Sequence, residues 1–287
     1  MSFKVVKVEM KMLVEDATLK RGFIAEHGLS IFLEVEQEDG SKITLLLDTG
    51  ATGDVLLHNA KKLSVRLENV DAVVLSHGHY DHTGGLLKLL ENINRGNLPI
   101  IAHPDAFKQK YYVEERTEYV GIPYNVDKLR EKGAIVSQCA GPFKLSEAIL
   151  TTGEVERKTD FEETPKTFYY IKENRFERDF MLDDQALIIK HTEGLIIVTG
   201  CSHSGIVNIL MHAQKITGEK RIHAIIGGLH LIDANEEKIE KTVDFIYKNR
   251  PQIVAACHCT GFEAQKKLSD KLKDAFKEIH AGDTLVI

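Results

Sequence analysis

Most features that would place this 287-residue chain in a special class are missing. Four cysteines, none in a CxxC pair, are too few to staple a chain of this length, so no disulfide scaffold is expected. No apolar run approaches the roughly 18 to 20 residues that cross a bilayer. The opening stretch, MSFKVVKVEMKMLVED, mixes Lys and Glu into its apolar positions and lacks a signal-peptide core, so a cytoplasmic location is expected. There is no excess of positive charge: 37 Lys and Arg against 43 Asp and Glu leave a net charge of −6. Nucleic acid and anionic membranes are therefore not expected as partners. Absent too are a Gly-x-Ser-x-Gly elbow, a Walker loop and a GxGxxG turn, which argues against serine hydrolases and nucleotide-binding folds. No repeat or low-complexity segment interrupts the chain.

What remains is ordinary globular usage, 43% hydrophobic and 28% charged, together with 13 histidines. Short runs rich in Val, Ile and Leu read as strands: Phe3–Met10, Ile31–Glu36, Ile43–Leu47, Ala72–Leu75 and Ile100–Ala102. Asp39-Gly40 supplies a hairpin turn between two of them. Leu86, Leu90 and Ile93 have helical spacing. In the second half, Ala186–Lys190 and Leu195–Thr199 flank a turn at His191-Thr192-Glu193-Gly194. A helix on Ile206, Leu210 and Ala213, a strand at Ile222–Ile226, a helix on Ile239, Val243 and Ile246 and a strand at Ile253–Ala256 follow. A last helix is expected to carry Leu268, Leu272, Ala275, Phe276 and Ile279. Strands alternating with amphipathic helices suit an α/β chain of sheet layers covered by helices. The middle, 104–184, is richer in Tyr, Phe and charge, and reads either as a loop-rich extension with its own small core or as a cap over a site.

Histidine is the commonest metal ligand, so its placement carries the functional reading. The strongest cluster is Ser76-His77-Gly78-His79-Tyr80-Asp81-His82-Thr83-Gly84-Gly85, between an apolar strand and a helix. Three histidines at those offsets would arise by chance about 0.03 times in such a chain. His77 and His79 would turn onto one ion, and Asp81 and His82 onto a second nearby. Three further histidines stand at successive strand ends, in Thr199-Gly200-Cys201-Ser202-His203, Gly227-Gly228-Leu229-His230 and Cys257-His258-Cys259. Strands arranged in one sheet would gather them on one edge. His203 and His258 read as metal ligands, His230 less so. His103 ends another strand on that edge. His27, His58, His191, His212, His223 and His280 read as structural or solvated.

HGHYDH after an apolar strand resembles the HxHxDH signature of the metallo-β-lactamase superfamily, and Leu45-Leu46-Leu47-Asp48-Thr49-Gly50 resembles its first motif. The set TGCSHSG, GGLHL and CHCTG is similar to a narrower branch of metal-dependent hydrolases, which includes a methanopterin-pathway synthase. The resemblance implies a four-layer αββα sandwich, one domain over 1–287 with 104–184 as an insertion or cap. It implies one or two metal ions, Zn2+ first with Mn2+, Fe2+ or Mg2+ as alternatives. The implied ligands are His77, His79, Asp81, His82, His203 and His258, with Asp48 behind them orienting a ligand. Asp81 and His230 are the implied catalytic residues. The pattern departs from the superfamily's in two places: Thr152-Gly153-Glu154 brings no third-motif His, and Cys201 stands where a bridging Asp is usual. Cys201 reads as a small buried residue in preference to a soft bridging ligand. The implied activity is hydrolysis of a small anionic phosphorylated or ester-like substrate. The alternatives are transfer of a dihydropterin-methyl group from its diphosphate to ribofuranosylaminobenzene 5'-phosphate, or non-catalytic ligand binding.

Overall fold

The structure is a computed structural model describing residues 4–93 and 95–287. The chain opens with an antiparallel meander of β1 (Val5–Val14), β2 (Ser30–Gln37) and β3 (Lys42–Leu47), the turn between the last two holding Gly40 at φ 80°. β1 runs four residues past the expected end; Phe3, its expected start, lies outside the described residues. Next come α1 (Gly53–Lys62), β4 (Ala72–Val74), the single turn α2 (Tyr80–Thr83), α3 (Leu86–Ile93) and β5 (Leu98–Ala102). The middle segment holds β6 (Lys110–Val113), β7 (Thr117–Tyr119), α4 (Val126–Glu131), β8 (Ala134–Gln138), β9 (Ile149–Thr151), β10 (Phe168–Lys172) and β11 (Arg175–Arg178). The final part holds β12 (Ala186–His191), β13 (Gly194–Thr199), α5 (Ile206–Thr217), β14 (Ile222–Gly228), α6 (Glu236–Asn249), β15 (Ile253–Cys257), α7 (Phe262–Leu272) and β16 (Thr284–Val286).

Two sheets stack face to face. One runs β16-β1-β2-β3-β4-β5-β8 and the other β9-β12-β13-β14-β15; a single parallel pairing, Val5 with His191, joins them. Because successive side chains on a strand point to opposite faces, each strand feeds two cores. Met10, Met12, Leu45, Leu47, Leu187, Ile189, Ile196 and Ile226 fill the layer between the sheets. Leu46, Val73 and Ile100 pack outward under α1 and α3, while Ile188, Ile197 and Ile225 pack outward under α5 and α6. The result is an αββα sandwich, and burial on both faces is why its strands read as nearly continuous apolar runs.

The helices follow their apolar stripes. Ile206, Ile209, Leu210 and Ala213 bury one face of α5, which ends at Gly218 in the left-handed conformation, φ 75°. Asn235 caps α6 by accepting from the Lys238 N–H. The last helix is shorter than expected. It stops at Leu272, Lys273 takes φ 53°, and Phe276 is extended and bridges to Val254, so Ala275, Phe276 and Ile279 belong to the turn and chain that follow. Their apolar spacing reflects packing against the sheet edge, not helix.

Within 104–184, β8 and β9 join the two main sheets, whereas β11-β10-β6-β7 form a separate four-stranded antiparallel sheet. Lys110 of β6 is 1% exposed and donates to Asp179 (2.6 Å) and Asp183 (2.8 Å); Asp183 also accepts from the Gly78 N–H at 2.8 Å. This small sheet is thereby fastened to the histidine-rich loop. No helix among the described residues is long and apolar enough to cross a membrane.

Candidate metal centre

β3, β4 and β5 run parallel, as do β13, β14 and β15, and their C-terminal ends share one edge of the sandwich. Asp48 follows β3 with φ 58° and is fully buried. Its Oδ1 accepts from the Ser76 N–H (2.7 Å), and its Oδ2 accepts from Ser76 Oγ (2.6 Å) and His82 Nδ1 (2.7 Å). A carboxylate only accepts, so when His82 is neutral its proton sits on Nδ1 and the Nε2 lone pair is left for the pocket. Ser76 Oγ, its proton committed to Asp48, accepts a hydrogen bond from the His77 Nδ1–H at 2.9 Å. Asp16 does the same for His258, with Oδ1 2.8 Å from Nδ1. Three rings are thus held from behind through one nitrogen, the arrangement that metal-bound imidazoles use.

The rings of His77, His79 and His203 meet with centroids 4.6 to 4.9 Å apart. The Nε2 atoms of all three are buried and have no hydrogen-bond partner. Burial pushes the His79 imidazolium down to about 3 and lowers those of His77 and His203 well below the usual range. These rings are neutral, with lone pairs free. Beside them His82 Nε2 lies 3.2 Å from His258 Nε2, 3.3 Å from Asp81 Oδ2 and 3.1 Å from Cys201 Sγ. Burial opposes charge on His82, yet Asp81 and Asp48 outweigh it and hold the imidazolium up at about 9. Unpartnered buried nitrogens are rare in folded proteins. His77, Cys201 and His203 offer donor atoms within 4.8 Å of one another, with the His79 ring packed against both imidazoles, and Asp81, His82, Cys201 and His258 form a second such group beside them. That donor set fits one or two divalent ions of the zinc kind.

Cys201 is buried, as expected, and its Sγ also lies within 4.8 Å of donor atoms in both groups. His230, at φ 48°, packs its ring tilted against His203 with centroids 4.2 Å apart and keeps a buried, unpartnered Nδ1. His103 is not drawn into a ligand group. It caps the turn at Pro104–Phe107 by accepting from the Asp105 N–H at 3.1 Å, beneath the Gly78 loop. Several participants were not legible in the sequence. Asp16 follows β1, and its position at a strand end on the same edge is the signal that would have found it. His27 is exposed, yet it lies 3.3 Å from Asp16, 3.6 Å from Asp81 and 5.2 Å, ring to ring, from His258; nothing local marks it. Asp184 holds the His203 loop by accepting from the N–H and Oγ of Ser204. Glu162 caps α5 by accepting from the Val207 and Asn208 N–H groups.

A cleft of about 870 Å3 opens beside the centre, between the small sheet and the start of α6. His230 lines it, and Phe168 of β10 forms its wall while touching the rings of His79 (4.8 Å) and His203 (5.3 Å). Lys166, Lys238 and Lys241 bring three ammonium groups to it, interleaved with acidic residues.

A metal-ligand edge on an αββα sandwich defines a class, and the family comparison agrees: the model of the metallo-beta-lactamase superfamily matches residues 26–206, and the chain belongs to that superfamily. The matched span includes HGHYDH and His203 but stops before His230 and His258. Within the superfamily, the chain is 36% identical over 288 residues to the 7,8-dihydropterin-6-methyl-4-(beta-D-ribofuranosyl)-aminobenzene-5'-phosphate synthase of Methanocaldococcus jannaschii, covering 97% of this chain and 96% of that one. An uncharacterized protein of the same organism is 34% identical, covering 91% and 93%. The crystal structure of Tm1679, a metal-dependent hydrolase of the beta-lactamase superfamily, superposes with a TM-score of 0.82 at 28% identity, covering 97% and 98%.

Proposed function

We propose that the protein is a metal-dependent transferase that joins a dihydropterin-methyl diphosphate to ribofuranosylaminobenzene 5'-phosphate. The observation that carries this is the cleft itself, where an aromatic wall, Phe168, stands directly against the unpartnered rings of His79 and His203 beside three lysines. A flat heteroaromatic ring stacks on such a wall, and ammonium groups hold phosphate. The synthase relative, similar over nearly the whole length of both chains, supports the same substrates. His77, His79 and His203 would hold one ion, Asp81, His82 and His258 would hold a second, and the Cys201 thiol is available to either; zinc would suit this mixed nitrogen, oxygen and sulfur set. A bound dication supplies Lewis-acid charge for a diphosphate leaving group. The chain's own residues do the rest. Asp48 and Asp16 fix ring orientation, Asp81 stands ready to accept a proton, Phe168 and His230 position the substrate, and the 104–184 segment covers the cleft and excludes water.

The test loads the purified protein in turn with Zn2+, Mn2+, Fe2+ and Mg2+ and supplies both substrates. Mass spectrometry should show the condensed product and release of diphosphate. Absence of condensed product with every metal would overturn the proposal. The second reading, hydrolysis of a phosphoester or ester, rests on the likeness to the metal-dependent hydrolase structure. Chelator-sensitive turnover of simple phosphodiesters, thioesters or lactones, without condensation, would favour it.

A further inference from the structure

Two donors near the centre, Cys259 and His230, belong to neither ligand group of the proposed function, yet both lie beside Cys201. Cys201 Sγ, Cys259 Sγ and a ring nitrogen of His230 all lie within 4.8 Å of one another. The Cys259 thiol makes one long hydrogen bond, 3.4 Å to the Cys201 carbonyl, a weak use for a buried group. His230 Nδ1 is buried without a partner, and its ring also faces the cleft. The site is built, not incidental. Gly228 clears the space for the thiol, since a Cβ there would stand 2.6 Å from Cys259 Sγ and 2.4 Å from the Gly200 carbonyl. The His230 loop is stapled to the Cys259 loop by Leu231 and Ile232 N–H groups donating to the Cys259 carbonyl, each at 3.1 Å, and by Leu229 N–H donating to Thr260 Oγ1. Two buried sulfurs and an imidazole that lines the cleft match the three-ligand set of a metal site built from two cysteines and one histidine. Thiolate donors select soft or borderline ions.

We propose that Cys201, Cys259 and His230 form a third metal position, at the cleft end of the centre, that takes a thiophilic dication such as Zn2+. It rests on the functional reading above in using Cys201, which that reading places beside both ligand groups. It differs in needing two thiols that the set does not require together.

The experiment strips the full-length protein with chelator and reconstitutes it with Cd2+ as probe. Bound cadmium per chain is measured by mass spectrometry and the thiolate-to-cadmium charge-transfer absorption by ultraviolet spectroscopy. Wild type is compared with Cys259→Ala, His230→Gln, His79→Ala and the remote Cys139→Ala. Cys259→Ala and His230→Gln should each lose one equivalent, and Cys259→Ala about half of the charge-transfer absorption. His79→Ala should keep that absorption, and Cys139→Ala should match wild type. His230→Gln, at the cleft wall, guards against a fold defect in the buried Cys259 variant, with circular dichroism as the check on both. Equal cadmium content and undiminished absorption in Cys259→Ala and His230→Gln would overturn the third position while leaving the six-residue centre standing. A wild-type protein that binds no cadmium at all would overturn both.

Discussion

Asp48 gives both carboxylate oxygens to the metal loop, three contacts between 2.6 and 2.7 Å. Removing them in Asp48→Ala frees the His82 ring and the Ser76 backbone, and metal affinity should fall about 10- to 100-fold in a chelator competition assay. The histidines also set a pH dependence for the metal-free protein. His79 is held at about 3 against an ordinary 6.5, and His77 and His203 are lowered too. The unfolded chain takes up these protons first, so the stability they contribute is present above 6.5 and is lost as pH falls toward 3. His82 has the opposite sign: raised to about 9, it contributes stability that is present below 6.5 and lost as pH rises through 9. Calorimetry in chelator should therefore find the highest transition temperature near neutral pH, with a decline on both sides. A transition temperature still climbing as pH drops from 6.5 to 5 would contradict this assignment. At this scale the histidine cluster itself was legible, because HGHYDH is local and improbable by chance. Asp16 and His27 were not, since they reach the centre only across strands distant in sequence.

Among the elements, the strand-to-helix loops were the easiest to read and the middle segment the hardest. β6 and β10 pair across more than fifty residues, Tyr111 with Tyr169, and no short-range pattern encodes that partnership. The small sheet is fastened by the Lys110, Asp179 and Asp183 triad, buried to within a few per cent. Lys110→Met would strand two buried carboxylates. Urea unfolding should show a loss of about 3 to 5 kcal/mol, and metal release should accelerate because Asp183 also holds the Gly78 N–H. The last helix teaches a related lesson. Its apolar spacing continued past Leu272, but the left-handed Lys273 turned the chain so that the same residues packed from an extended conformation.

Across the whole molecule, three apolar layers hold the sandwich together, and the layer between the sheets is formed jointly by both halves of the chain. Ile226 is fully buried in that layer, on β14 between Val198 and Ala255. Ile226→Ala should cost about 2 to 5 kcal/mol in chemical unfolding, while the bound-metal count of the folded protein stays unchanged. A metal count that fell along with stability would mean that the inter-sheet layer also shapes the site. By itself the sequence determined the alternation of strands and helices, the αββα class and the histidine-rich loop, because periodicity and motif spacing act over a few residues. Only the tertiary structure decided that Cys201 reaches both ligand groups, that Asp16 and His27 join the edge, and that Phe168 faces His79 and His203. Those relations depend on how parallel strand ends converge from distant parts of the chain, and that convergence is created by burial of the shared core.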